Sequence, residues 1–340
     1  MITEEQVRTA LKQVFVPTAE QSIIDLNLVR KITVADKNIT VTLASTALAD
    51  EVQNFVAAGV KSTLQQFKNT LVQVDFVEAK PADLNEIKNI VAVMSGKGGV
   101  GKSLVTALLA IALKRQGKNV GILDADITGA SIPRMFGITT RPFGSETGLL
   151  PVVSQSGIEV MSMNLLLPQE ESAVIWRAPL LSKAITQFWT DVVWGKLDYL
   201  LIDLPPGTGD ASLSLAQMLP LSGVVIVTLP QAVSLEDASR GLNMFQTLEV
   251  PILGVIENMR GEFFGSGGGE DLARIAKVPF LGAVPMEQAV RVGGDTGQPV
   301  VVSRPDSAAA KAFQAIAGQV AARVSVEALN QKAAPTIAIE

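Results

Sequence analysis

The stretch IVAVMSGKGGVGKSLVTALLAIALKR, residues 90–115, decides the fold. Residues 90–94 are a short apolar run, which reads as a buried strand, and residues 104–115 have the length and composition of a helix. Between them, Gly96-Lys97-Gly98-Gly99-Val100-Gly101-Lys102-Ser103 fits the pattern G-x-x-x-x-G-K-[ST]. Glycines let consecutive backbone N–H groups curl around phosphate oxygens, and the helix that follows adds its positive end. All eight residues are therefore expected to cradle the phosphates of ATP. Lys102 is placed to reach the β- and γ-phosphates, and Ser103 to ligate Mg²⁺.

Downstream of this turn the apolar runs repeat. Strands are expected at residues 119–123, 199–202, 224–228, 252–256 and 280–283, separated by helical stretches. Continuous apolar strands alternating with helices imply an α/β fold, a mostly parallel sheet with helices on both faces. Ligands in such sheets sit at the C-terminal strand ends. Asp124 and Asp126 follow one strand in LDADITGAS, and Asp203 ends another in LDYLLIDLPPGTGD. Asp124 and Asp203 are read with Ser103 as Mg²⁺ ligands, and Asp126 as the residue that positions the attacking water. Lys97, Lys102 and Asp126 form the expected catalytic set. Gly207 offers an amide to the γ-phosphate, and Asn258, after ILGVIE, a partner for the adenine edge. Residues 265–269 are also glycine-rich but lack the Lys-Ser pair, and read as a loop entering a helix at 270–276.

Upstream lies a smaller α+β module. Thr3 and Gln6 have capping-box spacing, and an apolar helical pattern runs from Val7 through Leu11 to Val16. VRKITVADKNITVTL alternates about a polar turn at Lys37-Asn38, a helix is expected at 51–67, and VQVDFV at 72–77 reads as a strand. The expected domains are residues 1–78 (small α+β), 79–89 (polar linker containing Pro81), 90–330 (nucleotide-binding) and 331–340 (flexible tail), with an Ala-rich helix at 307–330.

Composition narrows the chemistry. The 340 residues include 48% hydrophobic and 18% charged, a net charge of −5, no cysteine and no histidine. The acidic balance disfavours nucleic acid as a partner. Without thiolate or imidazole, tight metal binding falls to oxygen ligands, which favours magnesium, and Ser-His or Cys-His catalysis is excluded. Met1-Ile2-Thr3-Glu4-Glu5 is acidic where a secretory leader carries basic charge, and apolar runs are too short to span a bilayer. A cytoplasmic protein without membrane attachment is expected.

Lys97 is superfluous for holding a nucleotide within one subunit. An early loop lysine marks the deviant Walker A group, which includes the nitrogenase iron protein and MinD, and implies a lysine that reaches the partner's nucleotide in an ATP-bridged homodimer. Beyond the loop, the stretches ILDADITGASIPRMFGI, VIWRAPLLSKAITQFW, VIENM, FGSGGGEDLA and VPMEQAVRVGGDTGQPVV closely resemble the Mrp, or ApbC-type, iron–sulfur carrier ATPases. The N-terminal module resembles the MIP18-like domain that precedes many of them. The resemblance implies slow, partner-coupled ATP hydrolysis linked to [4Fe–4S] delivery, with iron–sulfur assembly or client proteins as partners. Two departures agree with each other. The family's Cys-x-x-Cys is replaced by Arg260-Gly261-Glu262-Phe263-Phe264, and its N-terminal Asp-Pro-Glu and cysteine by Val16-Pro17-Thr18 and Ser45-Thr46-Ala47-Leu48. This chain therefore supplies no ligands of its own for a Cys₄ cluster.

The alternative is a nucleotide-switched positioning or scaffold ATPase of the MinD and ParA kind. The tail VEALNQKAAPTIAIE lacks the basic amphipathic face that membrane docking requires. A third reading, a regulator that binds ATP without turnover, leaves Asp126 and Asp203 without a purpose.

Overall fold

The computed structural model describes residues 2–17, 19–126, 129–166 and 187–333. The chain forms two compact units.

The first unit comprises Met1–Ile87 together with Thr140–Val153 and Thr186–Leu197. Thr3 caps helix Glu4–Leu11 through the reciprocal bonds Gln6 N–H to Thr3 Oγ1 (3.2 Å) and Thr3 N–H to Gln6 Oε1 (3.0 Å), as its spacing predicts. The helix stops at Leu11, short of the apolar pattern, because Phe15–Val16 leaves it to pair with Gln21–Ser22. Strands Val29–Ala35 and Asn38–Ala44 form the expected hairpin, turned at Asp36-Lys37 with Asp36 at φ 52°, one residue earlier than the sequence suggests. Leu71–Val77 adds a parallel edge strand, reached through helix Asp50–Leu64. Val7, Leu11, Val56, Val60 and Leu64 from the helices meet Ile39, Val41 and Leu43 in one core.

Residues 79–89, read as a linker, carry local structure of their own. Helix Pro81–Leu84 buries Leu84 in that core, and Glu86–Ile87 pairs with Lys196–Leu197. Asn85 fastens the join: its Oδ1 accepts from the N–H groups of Trp194 (2.7 Å) and Gly195 (3.2 Å), and its Nδ2 donates to Val192 O at 2.9 Å. A short hairpin, Phe143–Ser145 with Gly148–Leu150, also belongs to this unit.

Among the described residues, the second unit holds seven mutually parallel strands in the order Glu159–Ser162, Val120–Asp124, Tyr199–Asp203, Ile90–Ser95, Gly223–Thr228, Ile252–Arg260, Phe280–Pro285. Helices flank the sheet: Lys102–Arg115 packs with Ala308–Ala333, and Ala232–Thr247 with Gly268–Ala276. Helix Lys102–Arg115 is buried from Val105 to Leu113, which explains why its sequence is apolar on all sides. Strand Glu159–Ser162 was not expected from the sequence, yet it lies beside Val120–Asp124 and carries a residue of the site. Most of VIWRAPLLSKAITQFW, and residues 334–340 of the expected tail, fall outside the described residues.

Candidate nucleotide site

The residues the sequence singles out converge at the C-terminal ends of three neighbouring strands, Ile90–Ser95, Tyr199–Asp203 and Val120–Asp124. Sheet register sets Asp203 directly opposite Asp124, so two carboxylates leave the sheet side by side next to the glycine loop. The loop ends at Gly101, whose φ of 80° and contact with Asn258 Nδ2 leave no place for a Cβ. Helix Lys102–Arg115 begins there, which brings Lys102 Nζ to 2.8 Å from Asp203 Oδ2 and 3.7 Å from Asp126 Oδ2.

Asp203 is also the hub for two hydroxyls. Ser103 Oγ donates to its Oδ2 at 2.6 Å, and Thr106 Oγ1 to its Oδ1 at 2.7 Å. Asp203 is fully buried and Lys102 is 5% exposed, so this is a desolvated ion pair satisfied on all sides. Asp124, also fully buried, is less well served. Its Oδ2 accepts from Ser162 Oγ at 3.1 Å and from Ile132 N–H at 3.4 Å, but its Oδ1 has no hydrogen-bond partner. Burial, then the charge of Asp203, push its carboxyl up to about 8; Lys102 and Ser162 oppose the shift.

A partnerless buried carboxylate oxygen, the Ser103 hydroxyl and Asp203 make an all-oxygen donor set, which fits Mg²⁺. Among the described residues, no three His, Cys, Asp or Glu side chains cluster as a complete metal cage. That suits an ion which draws its remaining ligands from water and nucleotide phosphates.

Three other expected residues have partners within the chain or stand apart. Gly207 N–H donates to Ser95 O at 2.8 Å, so the amide read as a γ-phosphate sensor is engaged in this structure. Asn258 Nδ2 donates to Val100 O at 2.8 Å, which ties strand Ile252–Arg260 to the glycine loop. Lys97 is half-buried, and among the described residues it pairs with no carboxylate. Beside Asn258 opens a cavity of about 1010 Å³.

The profile of the NUBPL iron-transfer P-loop NTPases matches residues 86–321, and that of an iron-sulfur cluster assembly protein matches residues 4–76. This chain belongs to the iron-transfer P-loop NTPase family. An iron-sulfur cluster carrier protein of Synechocystis is 42% identical over 97% of this chain and 100% of its own length. The Escherichia coli iron-sulfur cluster carrier protein is 41% identical over 78% of this chain and 74% of that one. Among solved structures, an Archaeoglobus fulgidus nucleotide-binding protein in complex with ADP has 41% identity and a TM-score of 0.55, covering 65% of this chain and 90% of its own. The Pyrococcus furiosus cell division ATPase MinD has 25% identity and a TM-score of 0.53, covering 69% and 98%.

Two residues of this NTPase site escape sequence reading. Thr106 lies one helical turn past Lys102, the single hydroxyl between Val105 and Leu113, and that isolation is its only signal. Ser162 becomes relevant only when the sheet register places it opposite Asp124. The second glycine-rich loop enters a helix, as expected, and the helix is Gly268–Ala276. The buried Glu257 carboxylate accepts from Gly267 N–H at 3.1 Å and Gly269 N–H at 2.7 Å, so amides that a phosphate would need already hold an internal anion. Among the described residues no helix is long and apolar enough to cross a membrane.

Proposed function

We propose that this member of the iron-transfer P-loop NTPases binds ATP with Mg²⁺ and hydrolyses it slowly to ADP and phosphate as a nucleotide-bridged homodimer. The observation that carries the reading is the convergence of Lys102, Ser103, Asp126 and Asp203 at the glycine loop. Without nucleotide, the charge of Lys102 is balanced by Asp203 and Asp126; an entering triphosphate competes for it and places a cation on the β- and γ-oxygens. Ser103 and Asp203, with Asp124, would hold the metal, which when bound would neutralise charge on the transferring phosphoryl group. Asp126, 3.7 Å from Lys102, orients water for in-line attack. Asn258 faces the base, and Lys97 completes the site of the partner subunit. Nucleotide binding at this site is supported by the Archaeoglobus fulgidus relative, a nucleotide-binding protein in complex with ADP.

Relatives at 41–42% identity carry iron–sulfur clusters by name. This chain contains no cysteine and no histidine. Any cluster that it handles is therefore cargo ligated by thiolates of a partner, and its own contribution is the nucleotide cycle.

Lys102→Ala tests the assignment. It removes the cation of the phosphate cradle and is expected to lower ATP affinity or turnover by at least about 100-fold. Near-normal ATPase in that variant would remove the site from its proposed role.

A further inference from the structure

We propose that Phe263 is a specificity-determining residue of this site, an aromatic side chain that stacks on the base of the bound nucleotide. The inference rests on the nucleotide reading above and adds a residue to it.

Phe263 is 87% exposed, the most exposed large apolar side chain among the described residues. The turn that carries it is closed by backbone hydrogen bonds. Gly261 N–H donates to Gly265 O at 3.0 Å and Gly265 N–H to Gly261 O at 2.8 Å, which closes Glu262-Phe263-Phe264 into a tight hairpin tip. Met286 N–H donates to Arg260 O at 2.9 Å and anchors the base of that hairpin to the neighbouring strand end. An aromatic ring on a pinned turn has lost much of its backbone freedom without gaining burial, which is the condition of a preorganised contact awaiting a ligand.

The ring borders the cavity of about 1010 Å³, together with Leu104, Asn258, Met259, Pro285 and Met286. Leu104 lies two residues past Lys102 on the same helix, so this space adjoins the phosphate cradle. Asn258 enters it from the strand end and is itself bonded to Val100 of the loop. The walls join apolar side chains to polar ones, with Asn258 at the cradle side and Arg134, Glu287, Gln288 and Arg291 elsewhere on the lining. Such a mixed lining suits a flat heteroaromatic ring with polar edges, and an aromatic side chain at the mouth offers that ring a face to stack on. The larger π-surface of a purine gains more from stacking than that of a pyrimidine, so Phe263 contributes preference for ATP over CTP.

Equilibrium binding of ATP, CTP and inorganic tripolyphosphate, each with Mg²⁺, to the full-length chain separates the base from the phosphates. Phe263→Ala is expected to weaken ATP about 10-fold, to narrow the ATP-to-CTP preference and to leave tripolyphosphate unchanged, whereas Phe263→Trp keeps ATP affinity. Unchanged ATP affinity in Phe263→Ala overturns the stacking role and leaves the nucleotide site standing. Equal losses of ATP and tripolyphosphate also overturn it, because the damage then lies in the cradle. If the unsubstituted chain binds neither ligand, the nucleotide reading itself has failed and stacking falls with it.

Discussion

At the scale of single residues, the site is built around carboxylates held in unequal environments. Asp203 is charged and saturated with donors, while its neighbour Asp124 is buried with one oxygen unpartnered. Burial and the adjacent charge raise the Asp124 carboxyl from 3.8 to about 8. The folded protein without metal therefore holds a proton there that the unfolded chain releases above pH 4. Stability from this group falls as pH rises from about 4 to about 8, by up to about 1.4 kcal/mol per pH unit, and is level outside that window. Asp124→Asn removes the dependence. In metal-free buffer the variant is expected to gain melting temperature over the parent, with a difference that widens from pH 5 to pH 8. A constant or shrinking difference would show that Asp124 is ionised in the folded state. The aspartates were legible because each ends an apolar strand, a local pattern. Thr106 and Ser162 were not, since a hydroxyl in a helix or strand acquires meaning only from the carboxylate that folding sets opposite it.

At the scale of elements, the glycine loop is fitted between a strand, a helix N-terminus and a second helix. A Cβ on Gly96 would overlap the backbone of Asp237 and Ala238 in helix Ala232–Thr247, whereas one on Gly98 would meet nothing. Neither glycine has a positive φ, so the difference between them is space alone. Gly96→Ala is expected to cost about 1–3 kcal/mol of stability and to displace the loop, while Gly98→Ala leaves stability nearly unchanged. Thermal unfolding of the two variants checks this; equal melting temperatures would mean that the helix yields freely to the loop. The strand–loop–helix order could be read from sequence because its periodicity and glycine spacing are local. Strand Glu159–Ser162 is four residues long with a glutamate at one end, too short to show a period. The recruitment of Thr140–Val153 and Thr186–Leu197 into the first unit depends on contacts such as that between Asn85 and Trp194, whose partners are far apart in the chain.

At the scale of the whole molecule, the cations of the loop have different fates. Lys102 is neutralised by carboxylates of its own chain, and among the described residues Lys97 is not. A loop lysine that pairs with no carboxylate among the described residues, in a chain that belongs to a family with a MinD-like fold, is the proposed contribution of each subunit to the other's nucleotide. Lys97→Ala alone is then expected to keep nucleotide affinity, because Lys102 and the loop amides remain, and to lose most turnover, because phosphoryl charge is left less neutralised. That result would also follow from a role within one subunit, so the decisive measurement mixes two defective proteins. Lys97→Ala retains Asp126, and Asp126→Ala retains Lys97. In a mixed dimer, the subunit with intact Asp126 receives Lys97 from its partner, and one site of two is complete. Random exchange of equal amounts makes half of the dimers mixed, so turnover is expected to recover to about a quarter of the parent's, with each variant alone near zero. If Lys97 served its own subunit, every site in the mixture would lack one group or the other. Activity of the mixture no higher than that of the separate variants, with exchange verified by differently sized tags, would leave Lys97 as an ordinary loop charge.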